Sequence, residues 1–274
     1  MSEIKTIGVC GAGTMGSQLA AFFASAGFDV LLFDLNQDLS EGGIKGALAA
    51  KPAAFYDKKF ADKVTPLNYE EHLDRFADCD WIVEAIAEKL ELKHDLYKKI
   101  ETKLQPEAVL SSNTSGLPLS SLVEPLTPEV RQRFLITHFF NPPRYMKLVE
   151  VVPGEETRLE VFDRMKSFLS ETLGKGVVEA KDTPNFIANR IGTFGMMQVL
   201  KTTRDMRLSV EQVDAITGPV MGRPKSATFR TADLVGLDVL AAVASTAYDR
   251  CPDDERRDMY EIPPVLATLL EKKW

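Results

Sequence analysis

The chain is 274 residues long, with 45% hydrophobic and 27% charged residues and a formal net charge of −7 at pH 7. That length and apolar content suffice for a sizeable core in more than one domain, and the acidic balance excludes the basic footprint that nucleic-acid binding needs. No apolar run approaches the ~18 residues of a membrane span, and Cys10, Cys79 and Cys251, odd in number and without a Cys-x-x-Cys pair, point to a reducing cytoplasm.

The first predicted element is a buried strand around Ile7-Gly-Val-Cys10, which breaks into Gly11-Ala12-Gly13-Thr14-Met15-Gly16 and continues from Ser17 as an amphipathic helix. In such a turn Gly11 permits a backbone that a side chain would strain, Gly13 lets the backbone approach a pyrophosphate, and Gly16 lets helix and strand pack closely. The unpaired N–H groups at the helix start then face the anion. Gly27 closes the helix, and Asp29–Asp34 reads as a second buried strand ending in an acid, about 20 residues beyond the glycines. A carboxylate there accepts from a ribose 2′-hydroxyl and repels a 2′-phosphate, which favours NAD over NADP. A glycine turn that merely packs a helix on a sheet is the bland alternative; strand, triplet, helix, strand and acid in that order weigh against it.

From Ser40 to Phe60 the chain is predicted helical and locally basic, with Lys45, Lys51, Lys58 and Lys59 around Pro52. These lysines are either a solvated face or a site for a phosphorylated substrate tail. A short strand at 63–67 and a helix at 69–77 follow. Trp81–Ile86 is a buried strand, and Glu88 and Lys93 sit where it opens into a helix running to about Leu104, on the edge where doubly wound sheets bind ligands. The strand at 108–112 stops at Asn113-Thr-Ser115, and the strand at 134–138 stops at His138-Phe-Phe-Asn141-Pro-Pro. His72 and His94 fall within helical segments, where packing or exposure explains them, whereas His138 shares the strand-end side with Asp34 and Ser115. Leu148–Val152 is a further strand with Glu150 inside an apolar run, an expensive place for a carboxylate unless a cation or strong donor meets it.

Arg158–Leu173 is a predicted amphipathic helix and Gly176–Glu179 the last strand. Beyond it the pattern changes: Asp182 or Thr183 can cap a long helix beginning at Pro184, and Ser209 with Gln212 has capping-box spacing. The expected architecture is therefore α/β, a Rossmann-type doubly wound sheet in residues 1–183 followed by a smaller all-α domain in 184–274. Hydride transfer from a secondary alcohol to NAD needs a base for the hydroxyl proton and donors for the developing carbonyl, and His138, Glu150, Ser115, Asn141 and Asn189 are the candidates. No His or Cys cluster has metal-ligand spacing, which favours a metal-free route.

At these residues the chain closely resembles the 3-hydroxyacyl-CoA dehydrogenase family. The matching stretches are Gly11-Ala-Gly-Thr-Met-Gly16, Val83-Glu-Ala-Ile86 with Glu88, Ser112-Asn-Thr-Ser115, His138-Phe-Phe-Asn141-Pro, Met146-Lys-Leu-Val-Glu150-Val, Lys181-Asp-Thr-Pro184 and Phe186-Ile with Asn189-Arg190. The resemblance implies oxidation of (3S)-3-hydroxyacyl-CoA to 3-oxoacyl-CoA in β-oxidation. His138 would be the general base oriented by Glu150, with Ser115 and Asn189 on the substrate oxygen. Asp34, Glu88, Lys93, Ser115 and Asn141 would contact NAD. It also implies a homodimer through the helical domain.

Asn185 stands where the family often has glycine, and the stretches Asn141-Pro-Pro-Arg144-Tyr145 and 222–229 depart from the commoner forms. The family's closing Lys-Thr-Gly-x-Gly-Phe-like segment does not occur. The variant stretches resemble longer bacterial β-oxidation proteins, so the helical domain is expected to be incomplete and the full-length protein fused to an enoyl-CoA hydratase-like region. Two other functions stay open at this point: a dehydrogenase of a small 3-hydroxy acid without CoA, and a non-catalytic NAD-binding or structural relative.

Overall fold

A computed structural model describes residues 3–272. The chain divides into two compact units, one up to Asp182 and one from Thr183. In the first, the strands are β1 (Thr6–Cys10), β2 (Asp29–Asp34), β3 (Val64–Asn68), β4 (Trp81–Glu84), β5 (Val109–Ser112), β6 (Phe134–Phe139), β7 (Leu148–Pro153) and β8 (Gly176–Glu179). They form a single sheet in the order β3-β2-β1-β4-β5-β6-β7-β8. All neighbours pair parallel except β6 and β7, which are antiparallel. The helices are α1 (Thr14–Ser25), α2 (Gln37–Ala49), α3 (Leu90–Ile100), α4 (Leu119–Leu122), α5 (Pro128–Arg131) and α6 (Leu159–Ser167).

The central strands are β-branched and aromatic, and Ile7, Val9, Val30, Leu32, Trp81, Val83, Val109 and Leu135 are fully buried. Near-continuous apolar strands are what a sheet covered on both faces requires. Phe23 of α1 packs on Trp81 at 5.1 Å and on Phe139 at 5.9 Å between ring centroids, joining the dinucleotide helix to the strands on either side of the sheet's centre.

Several expected elements change. The helix expected at 69–77 is a turn followed by a 3-10 helix, Leu73–Asp78, because the Asn68 side chain accepts from Glu70 and Glu71 N–H and holds the chain in a turn. The helix expected through Ser40–Phe60 is α2 alone, followed by irregular chain and a 3-10 helix, Lys58–Lys63. The helix expected over 158–173 is α6 continued by a π-helical turn, Phe168–Thr172.

The second unit contains α7 (Ala188–Met206), α8 (Val210–Thr217), α9 (Phe229–Val235), α10 (Leu237–Arg250) and α11 (Pro264–Glu271). Of these, α7, α9, α10 and α11 gather on Met197, Ala232, Leu240, Ala244 and Leu266. Ser209 and Gln212 form the predicted capping box, with Ser209 N donating to Gln212 Oε1 at 2.9 Å and Gln212 N to Ser209 Oγ at 3.3 Å. The first long helix does not start at Pro184. Asn185 and Phe186 take φ of +63° and +49°, a left-handed path that no helix can follow, so α7 begins at Ala188. Asp182 caps elsewhere, accepting from Leu119 N at 2.9 Å and Ser120 N at 3.3 Å at the start of α4.

Candidate active site

The ends of β1, β2, β4, β5 and β6 lie on one edge of the sheet, and the strand order reverses between β1 and β4, which leaves a crevice there. The glycine turn lines it. Gly11 has φ +97°, and a Cβ on it would lie 2.8 Å from the Ala85 carbonyl oxygen; one on Gly16 would lie 1.8 Å from the Gly11 carbonyl oxygen. Both glycines are therefore demanded by the fold. At Gly13 a Cβ would meet no protein atom within 4 Å. Gly13 thus leaves the backbone open to approach, and the residues fit a dinucleotide pyrophosphate at the uncapped start of α1. Ala12, Thr14 and Met15 complete the turn.

Beside the turn, Gly11, Gly13, Asp34, Tyr69, Ile86 and Leu92 are among the residues lining a cavity of about 400 Å³. Asp34 ends β2 at its rim and accepts from Ala12 N at 2.6 Å and Leu35 N at 2.7 Å. Burial, with the Glu84 charge nearby, pushes the Cys10 thiol well up, so it stays protonated under the turn.

A buried polar network organises the next two strand ends. Glu84, wholly buried at the end of β4, accepts from Lys93 Nζ at 2.6 Å, Ile86 N at 2.8 Å, Tyr97 Oη at 2.8 Å and Ser112 Oγ at 2.7 Å. Lys93 also reaches Glu88 at 3.2 Å. Glu88 in turn accepts from the Thr114 hydroxyl, from Ser115 N at 2.9 Å and from Gly116 N at 3.3 Å. Burial works against the Glu88 charge, but the Lys93 ammonium and the Thr114 and Ser115 donors hold its carboxyl below its ordinary range. Lys93 is only 1% exposed, so its ammonium serves Glu84 and Glu88 at the root of the site rather than its surface.

His138 and Glu150 are directly opposite in the antiparallel β6–β7 pair, which puts their side chains on one face. Both are buried, and His138 Nδ1 lies 2.7 Å from Glu150 Oε2. The carboxylate fixes the tautomer and aims Nε2, the geometry of a histidine general base with its orienting acid. Phe139 N donates to Asn113 Oδ1 at 2.9 Å, tying the histidine strand to the Ser115 loop. Asn141 is exposed in the loop after β6, and Asn189 lies in the first turn of α7 in the second unit. His72 Nδ1 accepts from Asn68 N, and His94 Nε2 contacts the Ser121 carbonyl, so both are local fasteners.

Glu84 and Thr114 belong to the site's framework without having been singled out from the sequence. The signal for Glu84 is the one that drew attention to Glu150, an acid inside an apolar strand, with Lys93 and Tyr97 four apart on one helix face to answer it.

A mostly parallel sheet with a phosphate-ready glycine turn at its switch point, and a buried histidine–carboxylate pair across its one antiparallel pair of strands, defines a nicotinamide-dependent dehydrogenase. Residues 6–183 match the family model "3-hydroxyacyl-CoA dehydrogenase, NAD binding domain" and residues 186–274 match "3-hydroxyacyl-CoA dehydrogenase, C-terminal domain". The chain belongs to the 3-hydroxyacyl-CoA dehydrogenase family.

It is 44% identical to a "Probable 3-hydroxyacyl-CoA dehydrogenase" of Deinococcus radiodurans, over 92% of this chain and 75% of that one. It is 40% identical to a Rickettsia felis protein provisionally named a fatty acid oxidation complex trifunctional enzyme, over 99% of this chain but only 39% of that one. The crystal structure of (S)-3-hydroxybutyryl-CoA dehydrogenase from Ralstonia eutropha superposes with a TM-score of 0.85 at 25% identity, over 99% of this chain and 95% of that one.

Proposed function

We propose that this chain oxidises (3S)-3-hydroxyacyl-CoA to 3-oxoacyl-CoA with NAD, and that the His138–Glu150 pair carries the proton chemistry. NAD, when bound, supplies the hydride acceptor. Gly13 and the start of α1 hold its pyrophosphate, Asp34 its ribose, and the Glu88–Ser115 loop and Asn141 its nicotinamide end. Nε2 of His138 takes the proton of the 3-hydroxyl, and Glu150 stabilises the imidazolium that forms. Ser115 donates to the substrate oxygen as it becomes a carbonyl, a role that the family resemblance also gives to Asn189. Lys93 acts one step back, keeping Glu88 ionised and in place.

The observation that carries this reading is the 2.7 Å contact between two buried, opposed side chains; a structural relative that only binds NAD has no use for it. Oxidation of NADH with acetoacetyl-CoA, set against free acetoacetate, tests it. Turnover on the CoA ester alone is expected; turnover on free acetoacetate would transfer the reading to a small 3-hydroxy acid, and none on either would return it to a binding protein. His138→Ala should lower turnover by about 10²- to 10⁴-fold while NADH still binds.

Exposed apolar side chains of the helical unit, Ile191, Val220 and Leu234 among them, support a homodimer through that unit, which sedimentation would register as a doubled mass. Work beside a hydratase-like region is supported by the trifunctional Rickettsia relative. No single helix among the described residues is long and apolar enough to cross a membrane, and the buried, unpaired thiols of Cys10, Cys79 and Cys251 support residence in a reducing cytoplasm.

A further inference from the structure

Lys175 lies between the π-helical turn and β8 and is only 7% exposed. No carboxylate among the described residues pairs with it. Its ammonium donates to the Pro143 carbonyl and, at 2.9 Å, to the Met146 carbonyl. It also stands 4.1 Å from the Phe22 ring centroid and 5.8 Å from that of Phe139. Phe22 belongs to the dinucleotide helix α1, Phe139 follows His138 on β6, and Pro143 and Met146 belong to the loop 140–147 that carries Asn141 and leads into the Glu150 strand. The loop's last residue is tied to the same place, because Gly176 N donates to the Lys147 carbonyl at 2.8 Å. From the other side Arg144 donates to the Ala53 and Phe55 carbonyls and lies over the Tyr56 ring.

A buried ammonium is retained against its desolvation, and neutral donors would satisfy two carbonyls as well. Only a charge gains from both rings and from charge-assisted hydrogen bonds at once. We propose that Lys175 is a positioning residue for the dehydrogenase reaction: its ammonium fixes the loop 140–147, and with it Asn141, so that NAD affinity follows this one charge. The proposal rests on the reading of Asn141 as a cofactor contact.

Burial pushes the Lys175 ammonium down from 10.5 to about 8, so its charge is lost in mildly alkaline solution. No neighbouring charge competes for that titration. Helix α1 has no ionisable side chain, and His138 points to the opposite sheet face from Phe139, into Glu150. Arg144 and Tyr145 are engaged with the 53–56 stretch, Lys147 and Glu171 are exposed, and Glu179 at the far end of β8 pairs with Lys166.

Two effects then run in opposite directions with pH. Between about 8 and 10.5 the unfolded chain holds more protons at this group than the folded one, so this lysine makes folding stability rise with pH. The hold on the loop, and so on NAD, falls as the pH passes through about 8, at the start of that range. A merely structural lysine would move the first and not the second.

The test is NADH binding to the whole chain by fluorescence, from neutral pH to about 9, for wild type, Lys175→Met and Lys175→Arg. Wild-type affinity should weaken on the order of ten-fold as the ammonium loses its proton. Lys175→Met should bind weakly at every pH, and Lys175→Arg tightly at every pH, with kcat at saturating NAD little changed. Lys175→Met that copies the wild-type affinity and profile overturns the proposal. Should Lys175→Met not fold, a Lys175→Arg profile that bends as wild type does overturns it equally. Asn141→Ala separates the two readings: unaltered NADH affinity there removes Asn141 from the cofactor site and the proposal with it, whereas weakened affinity there beside a wild-type-like Lys175→Met removes Lys175 alone.

Discussion

Glu84 and Glu150 are both wholly buried carboxylates in strands, yet they differ in what answers them. Glu150 faces the ring of His138, a partner that changes its protonation in the proposed reaction; Glu84 faces Lys93, Tyr97, Ser112 and a backbone N–H, none of which is given a proton to move in that proposal. Glu150→Gln should accordingly leave NADH binding intact and lower kcat by roughly 10²-fold or more, since an amide neither fixes the imidazole tautomer nor stabilises its cation. Unchanged single-turnover rates would remove Glu150 from the mechanism. Glu84→Ala should instead cost up to about 3–5 kcal/mol of folding stability, because it takes the nearer carboxylate from the buried Lys93 ammonium and leaves the partly exposed Glu88 to hold it. A loss in urea unfolding of under ~1 kcal/mol would show that Glu88 alone can hold Lys93.

The turn between β1 and α1 separates what the fold needs from what the cofactor needs. Gly16→Ala drives a methyl into the Gly11 carbonyl and should destabilise the chain by at least ~1–3 kcal/mol. Gly13→Ala meets no protein atom, and Gly13 has φ −67°, open to any residue, so its stability should stay within about 0.5 kcal/mol of wild type. NADH affinity should nevertheless fall at least about ten-fold, equal to ~1.4 kcal/mol. A Gly13→Ala protein that binds NADH as wild type does would place the pyrophosphate elsewhere.

This turn, the Asp34 strand and the order of the sheet elements were legible in the sequence because each is a local pattern. The direction of β7 was not read, although the chain contained it. Only eight residues, 140–147, separate β6 from β7, too few for the ~10–12 of a parallel crossover, so antiparallel pairing follows. With that register Glu150 comes opposite His138 by geometry, a pairing that the family resemblance had supplied. Lys175 gave no sequence signal, since two backbone carbonyls and two rings from distant elements have no linear signature.

At the scale of the whole molecule the change from sheet to helices was visible as a change of pattern, but its hinge was misread through Asp182. As a local cap before Pro184 it would start the helical unit; in the structure its carboxylate reaches back 63 residues to Leu119 N and closes the sheet unit on itself. Local capping lost because Asn185 and Phe186 turn left-handed, leaving no helix start at Pro184 to cap. Asp182 thus pins the last residue of the sheet unit to the start of α4. Asp182→Ala should remove about 0.5–2 kcal/mol, the usual worth of a cap, and release the chain around Lys181. Trypsin should then cut after Lys181 faster than in wild type, while NADH affinity holds, because Asp182 touches neither the glycine turn nor the His138–Glu150 pair. Equal cleavage rates in the two proteins would mean that other contacts, not this carboxylate, secure the junction.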